Sequence, residues 1–441
     1  MAPKGMVDGT VYKTKGGIPL VNGTSYKVEK GKVLVDGTAY DISFLLSPNV
    51  LDLWNSDLGN NVDSNSWQYT FVDITCITYA NGYWVIGGVN YDYGAACYAR
   101  IAYSASLDGS WTIKDLWSET RSPDKTAYRD CSRINCIEYA NGYWVVGGNR
   151  DEDKKACIAY ATSLKGTWTV EDIWARDYSG TRVNCIKYAN GYWVAGGTAG
   201  NYSAINETYI AYATTPSGSW TVKQIWSDRA ADITCIEHAD GCWVVGGQSK
   251  YGGHDSEYGW LPYGYSGCIA YATTPSDLWV DKTIWPASGK GDQCWINCIT
   301  YVDGYWVAGG YRYIDDEGIW YAAIAYTSSL GGTWATKNLW NSGSWYRGSD
   351  ITGITYHNGQ WVVCGNCYDG TYGYAKIAFT TSPAGTWKLN NIWYSNDKEN
   401  IARCIYGGKD YFVSAGRYKN GTIYNARLAY APDPEELGET S

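Results

Sequence analysis

The chain has 441 residues and a formal net charge of -9. Such an acidic composition lacks the basic surface that nucleic-acid binding requires, which excludes a nucleic-acid partner. No apolar run is long enough to cross a bilayer and no secretory signal opens the chain, so we expect no membrane insertion and synthesis in a host cytoplasm.

Residues 1–46 carry a short repeat. Val-Asp-Gly-Thr or Val-Asn-Gly-Thr recurs every 14 residues, with a tyrosine two places later, at Tyr12, Tyr26 and Tyr40. Hydrophobic residues around Asp-Gly or Asn-Gly turns predict short strands. A β-module this small buries little core of its own, so we expect it to attach the chain to a partner surface or to self-associate. A flexible linker is the alternative.

Residues 47–431 contain a longer repeat, which reads "IxCIxYANGYWVVGG" and then "IAYATSxxGxWTVxxIW". Its first segments predict a buried strand, a two-residue Asn-Gly or Asp-Gly turn and a second strand. Two further strands follow, and the last ends in tryptophan. The tryptophan of "WV" recurs at Trp84, Trp144, Trp193, Trp243, Trp306 and Trp361, with Phe412 as a weaker seventh copy. A spacing of roughly 50 to 60 residues predicts a β-propeller.

The two ends of the repeat region complement each other. The seventh repeat stops after its third strand, at residues 426–431, whereas residues 51–54 read as a fourth strand that has no strands before it. We therefore predict an all-β fold: a seven-bladed β-propeller of four-stranded blades, closed by an N-terminal strand. Residues 432–441 follow as an acidic C-terminal tail.

The placement of the cysteines predicts reduced core residues. Six of the 14 cysteines occupy the same position in successive repeats, which is too far apart for pairing: Cys76, Cys136, Cys185, Cys235, Cys298 and Cys404. A ring of metal ligands is the alternative, but histidine partners are missing. Cys364 and Cys367 have the spacing of half a zinc site with no second half, so they are interpreted as structural. We expect no metal and no cofactor.

One face of the predicted disc carries the irregular connections. The turns from strand one to two and from three to four are short and uniform, so the other connections form a variable face, where function tends to lie. Rigid aromatics mixed with polar residues suit a binding surface for sugars, although they could instead pack the loops together. The candidate ligand-binding residues in these loops are Tyr251, Asp255, Tyr258, Trp260, Tyr263, Tyr265, Tyr313, Asp315, Trp320, Trp345 and Tyr346.

The residue before each innermost strand should ring the central axis on this variable face. The residues at these positions are Asp73, Arg133, Arg182, Asp232, Trp295, Asp350 and Asn400, and the first five are further candidate ligand contacts. The alternating charges fit either a polar ligand pocket or ion pairs between blades, which are worth about 1 kcal/mol or less each when exposed. Ion pairs are the favoured interpretation.

The composition argues against an enzyme. Of three histidines, only His254 falls in a variable loop, which disfavours a His-based triad or a His-rich metal site. Paired carboxylates could hydrolyse glycosides, and Asp255 with Glu257 or Asp315 with Glu317 are candidates. Such pairs are common in solvated loops, so we predict no catalytic residues and a protein that is not an enzyme.

Two segments resemble known families. The turn "SLDGSW" at residues 106–111 resembles a shortened Asp-box of sialidase-like propellers, which implies a related fold. A sialidase's arginine triad and Tyr/Glu nucleophile are not found. The segment "GGIPLVNGTSYKVEKGKVLVDGTAYDISF" is similar to short repeat modules that open tail, fibre and other virion proteins of phages and prophages of Gram-positive gut bacteria. This resemblance implies that residues 1–46 dock on virion proteins and that the propeller is displayed outward.

The leading hypothesis is a phage virion protein, a head-fibre or tail-fibre appendage that acts in host adsorption. Its propeller would bind host-surface or mucosal glycans or glycoproteins through many weak contacts. Homo-oligomers could form through residues 1–46. The alternatives are a protein–protein docking or decoration propeller in virion assembly, and a polysaccharide-degrading enzyme.

Overall fold

Seven antiparallel sheets are arranged as blades around a common axis. The computed structural model describes residues 49–57, 71–92, 96–120, 131–150, 155–175, 180–200, 207–226, 231–250, 264–287, 291–342, 348–368, 372–394, 400–421 and 423–437, together with short strands between residues 20 and 41. Those short strands are Leu20–Val21, Thr24–Ser25, Val28–Glu29, Lys32–Val35 and Thr38–Asp41. They pair as one two-stranded and one three-stranded sheet.

Blades one to four follow the repeat in chain order, innermost strand first. Blade one is Phe71–Ala80, Tyr83–Asp92, Ala96–Ser104 and Thr112–Thr120; blade two is Arg133–Ala140, Tyr143–Arg150, Lys155–Ala161 and Thr169–Ala175. Blade three is Arg182–Ala189, Tyr192–Ala199, Glu207–Ala213 and Thr221–Gln224; blade four is Ala231–Ala239, Cys242–Lys250, Tyr265–Ala272 and Val280–Trp285.

Blades five to seven complete the ring. Blade five is Gln293–Val302, Tyr305–Ile314, Ile319–Thr327 and Ala335–Ser342; blade six is Asp350–His357, Gln360–Tyr368, Gly373–Thr380 and Lys388–Tyr394. Blade seven is Ile401–Gly408, Tyr411–Asn420 and Ile423–Ala431, and Asn49–Asp57 pairs with the last of these as the fourth strand. Each innermost strand lies against that of the next blade, and the last lies against the first. The predicted seven-bladed propeller is confirmed.

The turn between the first two strands of a blade has positive φ at both positions. Asn81 has φ 48° and Gly82 has φ 81°, and five further blades repeat this pair. Asparagine, aspartate and glycine tolerate this backbone best, which explains why they recur. Blade seven makes the same turn with Lys409 and Asp410. The tight turns therefore follow from local sequence.

The innermost strand of every blade contains a β-bulge. In blade one the ladder shifts between Ile74 and Cys76, so Thr75 has no partner on the second strand. Its hydroxyl donates to the carbonyl of Ile134, on the innermost strand of blade two. Equivalent hydrogen bonds join Asn135 to Val183, Asn184 to Ile233, Thr234 to Ile296, Asn297 to Ile351 and Thr352 to Ala402. The bulge thus turns one side chain of each blade into a link with its neighbour.

Two adjacent glycines of the second strand make this arrangement possible. A Cβ on Gly87 would lie 2.7 Å from the Sγ atom of Cys76 and from a methyl of Ile134 in the next blade. A Cβ on Gly88 would lie 2.1 Å from the carbonyl oxygen of Asp73. The "GG" motif therefore reflects close packing rather than flexibility.

Tryptophans at the ends of the fourth strands form a second set of links between blades. The indole N–H of Trp54, in blade seven, donates to the carbonyl of Val89 in blade one at 3.3 Å. The other six bonds join Trp117 to Asn149, Trp174 to Thr198, Trp226 to Asp281, Trp285 to Thr336, Trp340 to Asn366 and Trp393 to Arg417. The N-terminal strand thus completes blade seven and also contacts blade one.

The six equivalent cysteines are free, as predicted, and they pack between the blades. Burial raises the pKa of the thiols of Cys76 and Cys235 to about 12, so both stay protonated. Cys97 and Cys131 form a disulfide that the sequence interpretation missed, with 5.8 Å between their Cα atoms. Neither of these two cysteines belongs to the repeating position, so periodicity gave no sign of the pair.

The segment after the last strand continues the repeat as a turn. Pro434–Leu437 is a 3-10 helix in which Pro434 and Leu437 are buried. The Glu436 N–H donates to the carbonyl of Asp433, as Gly166 does to Ser163 in blade two. Part of the predicted acidic tail is therefore packed against blade seven. Among the described residues, no helix has the length and apolar character needed to cross a bilayer.

The substitution Trp54→Phe tests the contact between blades seven and one. Phenylalanine cannot donate to the buried Val89 carbonyl, so we expect the free energy of unfolding to fall by about 1–2 kcal/mol in chemical denaturation. Trp117→Phe removes the equivalent bond between blades one and two and should cost a similar amount. A loss in the second variant with none in the first would show that residues 49–57 do not close the ring.

Candidate functional site at the axial mouth

The ends of the seven innermost strands meet around the axis on the variable face. We call this surface the axial mouth and define it by one residue at or near the start of the innermost strand of each blade: Asp73, Arg133, Arg182, Asp232, Trp295, Asp350 and Asn400. The repeat places one of them in each blade, so their separation is set by the ring. Five of the seven are charged.

One part of the axial mouth is an ion pair between blades three and four. The Arg182 guanidinium lies 2.7 Å from a carboxylate oxygen of Asp232. The Asn184 amide also donates to this carboxylate, at 3.0 Å, and the Thr198 hydroxyl is a third partner. Asp232 is only 3% exposed, so these donors replace the water that it loses. The predicted inter-blade ion pair is present here.

A second set of charged side chains consists of Asp350 from blade six, Arg403 from blade seven and Asp73 from blade one. Arg403 occupies the bulge of blade seven, and its Nε donates to Asp73 at 2.9 Å. Burial raises the pKa of Asp350 to about 6, against the opposing effect of the Arg403 charge. The Oδ1 atom of Asp350 is buried and has no hydrogen-bond partner among the described residues. The Arg403 guanidinium therefore acts on two carboxyl groups, those of Asp73 and Asp350, and it is paired directly only with Asp73.

Tyr311 borders the same region from blade five. Burial raises the pKa of its phenol well above the usual value, and the carboxyl groups of Asp350 and Asp232 add to the effect. Its ring lies 6.1 Å from Trp295 and 5.1 Å from Trp320, measured between centroids. The phenol therefore stays protonated, beside a carboxyl group of raised pKa.

The predicted aromatic residues of blade five contact one another. Tyr313 stacks on Trp320 with 4.6 Å between ring centroids and is only 6% exposed. Its hydroxyl donates to Asp315 at 3.1 Å, and the Asp315 N–H donates to Asp292. The structure thus brings these three candidates together in a packed cluster. Whether they contact a ligand stays a prediction.

The other predicted candidates divide into two groups. Tyr265 begins the third strand of blade four, where it pairs with Gln293 of blade five and connects the two sheets. Arg133 lies half-buried at the axial mouth. The candidates that lie outside the described residues are Tyr251, Asp255, Tyr258, Trp260, Tyr263, Trp345 and Tyr346.

Sequence reasoning placed Asp350 in the ring before the innermost strands, but it did not choose Asp350, Arg403 or Tyr311 as site residues. The signal for Arg403 was readable, because the other six blades carry threonine or asparagine at the bulge. An arginine at that position has the length to reach beyond the carbonyl of the next blade. No sequence pattern indicated the buried environment of Asp350.

Nothing among the described residues has the makeup of a metal centre. No group of three or more His, Cys, Asp or Glu side chains is placed to hold an ion within those ranges. The chemistry available at the axial mouth is therefore that of carboxyl, guanidinium and phenol groups.

Comparisons with solved structures identify the fold more closely. No family model matches the chain, and no curated protein matches it at a significant level. An ulvan lyase bound to a GlcA-Rha3S disaccharide repeat matches with a TM-score of 0.53 and 10% identity, covering 89% of this chain and all of that one. The polysaccharide lyase Uly1 matches with a TM-score of 0.51 and 8% identity, covering 88% of this chain and 98% of that one.

Longer sialidase-like propellers also match, with TM-scores below 0.5. Trypanosoma rangeli sialidase has a TM-score of 0.41 and 10% identity over 75% of this chain. Phage phi92 endosialidase has a TM-score of 0.45 and 11% identity over 87% of this chain and 68% of that one. The chain spans 56% of the trypanosomal sialidase, so it corresponds to only part of that protein. The shared feature is the propeller fold.

These comparisons correct the prediction that the chain is not an enzyme. The propellers that match its fold with TM-scores above 0.5 are polysaccharide lyases by their descriptions. The prediction had relied on the scarcity of histidine, but carboxyl, guanidinium and phenol groups meet at the axial mouth without one. The small number of histidines was therefore a poor argument against an enzyme.

The substitution Asp350→Asn tests the environment of this carboxyl group. Because the folded-state pKa is raised, ionisation destabilises the fold as the pH rises through about 6. We expect the variant to exceed the wild type in unfolding free energy by about 1–2 kcal/mol at pH 7–8, and the difference to vanish near pH 4. Denaturant titrations across this pH range measure it.

The matched control is Asp232→Asn. That carboxylate accepts from three donors, so its neutralisation should destabilise the protein at pH 7. Identical pH dependence of stability in wild type and Asp350→Asn would show that Asp350 titrates normally.

Proposed function

We propose that this protein is a polysaccharide-cleaving enzyme whose active site is the axial mouth. The observation that carries the proposal is Asp350, whose pKa is raised to about 6 while the neighbouring Asp73 is paired with Arg403. Where two carboxyl groups lie in different environments, the one of raised pKa is usually assigned as the acid and the other as its charged partner. The lyases of similar fold support action on a glycan.

Asp350 has the properties of a proton-transfer group. When the pKa lies near the working pH, a large fraction of the molecules carry the required protonation state. The proton transfer itself is then also favourable enough to be fast. In hydrolysis, protonated Asp350 would donate to the glycosidic oxygen as the bond to the anomeric carbon breaks. Water would add to that carbon and release a proton to the solvent, from which Asp350 is protonated again. The activity would then fall as the pH rises through about 6.

The groups around Asp350 suit the binding of a sugar. Tyr311 offers a protonated hydroxyl, and Trp295 offers an aromatic ring beside it. Aromatic rings pack against the C–H faces of sugars, and a phenol donates to their oxygens. Arg182 and Arg403 keep the charge of the adjacent carboxylates balanced, so a polar substrate meets no excess of negative charge on this side.

β-Elimination is the second candidate reaction, since the ulvan lyases share the fold. It requires an acidic sugar, from which a base removes a proton while the glycosidic oxygen leaves. Here ionised Asp350 would be the base, so activity would rise with pH through about 6. The product would carry a carbon–carbon double bond that absorbs ultraviolet light, whereas the product of hydrolysis would not.

The test is cleavage by the full chain and by Asp350→Asn. Neutral and acidic capsular and plant polysaccharides are the substrates, with reducing ends and ultraviolet absorbance as readouts. We expect the variant to lose at least about 100-fold in kcat, the usual size of a lost acid or base contribution.

The control is Asp240→Asn, the same chemical change in a turn on the opposite face. It creates the Asn-Gly turn that four other blades already use, so it should leave the activity unchanged. Equal activity of Asp350→Asn and wild type would exclude Asp350 as the catalytic group. Absence of cleavage, with binding retained, would support a glycan-binding protein.

We also propose that the enzyme is displayed on a phage particle, as the resemblance of residues 1–46 implies. Deleting these residues removes the supposed docking module but no strand of the propeller. We expect the truncated chain to keep its thermal stability and to be lost from purified particles, as measured by immunoblot. Incorporation at the wild-type level would contradict docking through this segment.

A further inference from the structure

A shallow cleft lies at the rim between blades one and two, away from the axial mouth. It has a volume of about 440 Å³ and is lined by the start of the fourth strand of blade one and the turn before the fourth strand of blade two. The residues that matter here are Lys114, Leu116, Lys165 and Trp168. The cleft is also lined by Asp115, whose carboxylate is paired with Arg100 at 2.6 Å. The proposed cleavage reaction uses none of them.

The cleft carries two lysines with different roles. The Lys114 ammonium donates to the Gly166 carbonyl, which fixes it against the neighbouring blade. Lys165 is exposed and forms no ion pair with any residue that the structure describes. One cation is therefore held in place by the fold, and the other is available to a ligand.

Among the blade junctions that the structure describes, this combination occurs at one. Lys223, Lys282 and Lys337 repeat the role of Lys114 by donating to the corresponding turn of the next blade. The residues that take the place of Lys165 in the other blades are Asp108, Ser217, Ser276, Gly331, Ala384 and Glu435. The positive charge of Lys165 is thus not required by the turn.

An aromatic side chain completes the cleft. Trp168 is half-buried, and its indole N–H donates to the Leu164 carbonyl, so the ring is held in one orientation. Leu116 adds apolar surface beside it. A fixed aromatic ring next to two ammonium groups matches a sugar that has an apolar ring face and an anionic substituent.

We propose that this rim cleft is an accessory binding site for an anionic sugar residue, with a carboxylate or a sulfate ester held by Lys165 and Lys114. The inference presupposes that the ligand of the propeller is a polysaccharide, as in the proposed function. The three-to-four turn that lines the rim cleft lies on the face opposite the axial mouth, so only a polymer long enough to pass around the rim can occupy both sites. Such a polymer gains from a high effective concentration at the second site. The cleft would thus favour charged polymers over short fragments.

The test measures binding of the full chain carrying Asp350→Asn, which prevents cleavage from depleting the probe. The probes are polygalacturonate for carboxylates, dextran sulfate for sulfate esters and dextran as the neutral polymer. We expect Lys165→Glu to weaken binding of at least one charged polymer about fivefold in calorimetry, while dextran binding stays unchanged. The effect should shrink as the salt concentration rises.

A gain-of-function variant serves as the matched control. Gly331 takes the place of Lys165 between blades four and five, beside Lys282 and the half-buried Trp334. A Cβ there would meet only the Tyr271 hydroxyl, at 3.6 Å, so Gly331→Lys fits without strain. We expect this variant to bind the same charged polymer more tightly, by about twofold or more.

Unchanged affinity for both charged polymers in Lys165→Glu, or an equal loss for dextran, would overturn the proposal. Its failure is distinguishable from failure of the proposed function. Cleavage by the wild type without any Lys165 dependence of binding would refute the rim cleft alone. Lys165-dependent binding without cleavage would refute the catalytic proposal and support the rim cleft.

Discussion

Hydrogen bonds between neighbouring blades are the constraint on which the rest of this molecule depends. Apart from the single pairing of Tyr265 with Gln293, the described strands of neighbouring blades form no ladder, so side chains supply most of the connection. Here the bulge residue of each innermost strand and the tryptophan of each fourth strand both reach into the next blade. The first bond lies near the axis and the second towards the rim. Together they fix the angle between successive blades, and a fixed angle is what makes seven blades close.

The axial mouth uses the same connection for a different purpose. At six bulges the side chain is neutral and meets a backbone carbonyl. At the seventh, Arg403 meets the carboxylate of Asp73 and brings a positive charge near Asp350. The bulge that departs from the repeat thus lies near Asp350, the carboxyl group on this face whose pKa is raised. Departures from periodicity are where a repeat protein can acquire chemistry without losing its architecture.

Much of the fold could be predicted because the same sequence pattern occurs in seven repeats. The Asn-Gly turns, the "GG" pairs and the outer tryptophans recur at fixed offsets, so each blade supports the interpretation of the others. The role of residues 49–57 followed from counting strands, since the seventh repeat lacked a fourth. The Cys97–Cys131 disulfide could not be predicted in this way, because it belongs to one blade junction only.

The site was harder to predict than the fold. Charged residues before the innermost strands were expected to form ion pairs, and Arg182 with Asp232 does so. The raised pKa of Asp350 depends on burial, which a sequence pattern does not record. Tyr311 lies within the second strand of blade five, a position that reads as scaffold. Trp295 is its cross-strand partner in the same blade, whereas Asp350 comes from blade six, so the packing of two consecutive blades brings this carboxyl group towards the phenol.

The pairing of residues 49–57 with residues 423–431 has a consequence for biosynthesis. Arg427 and Asp52, which form an ion pair across this junction, are 375 residues apart in the chain. The earliest strand of the ring therefore leaves the ribosome long before its partner exists. During that interval the backbone N–H and C=O groups of this strand lack their partner strand, and the other six blades do not provide one. The disc can close only after residues 423–431 have been synthesised, so a nascent chain stalled short of residue 423 would hold an open arc with one unmatched strand.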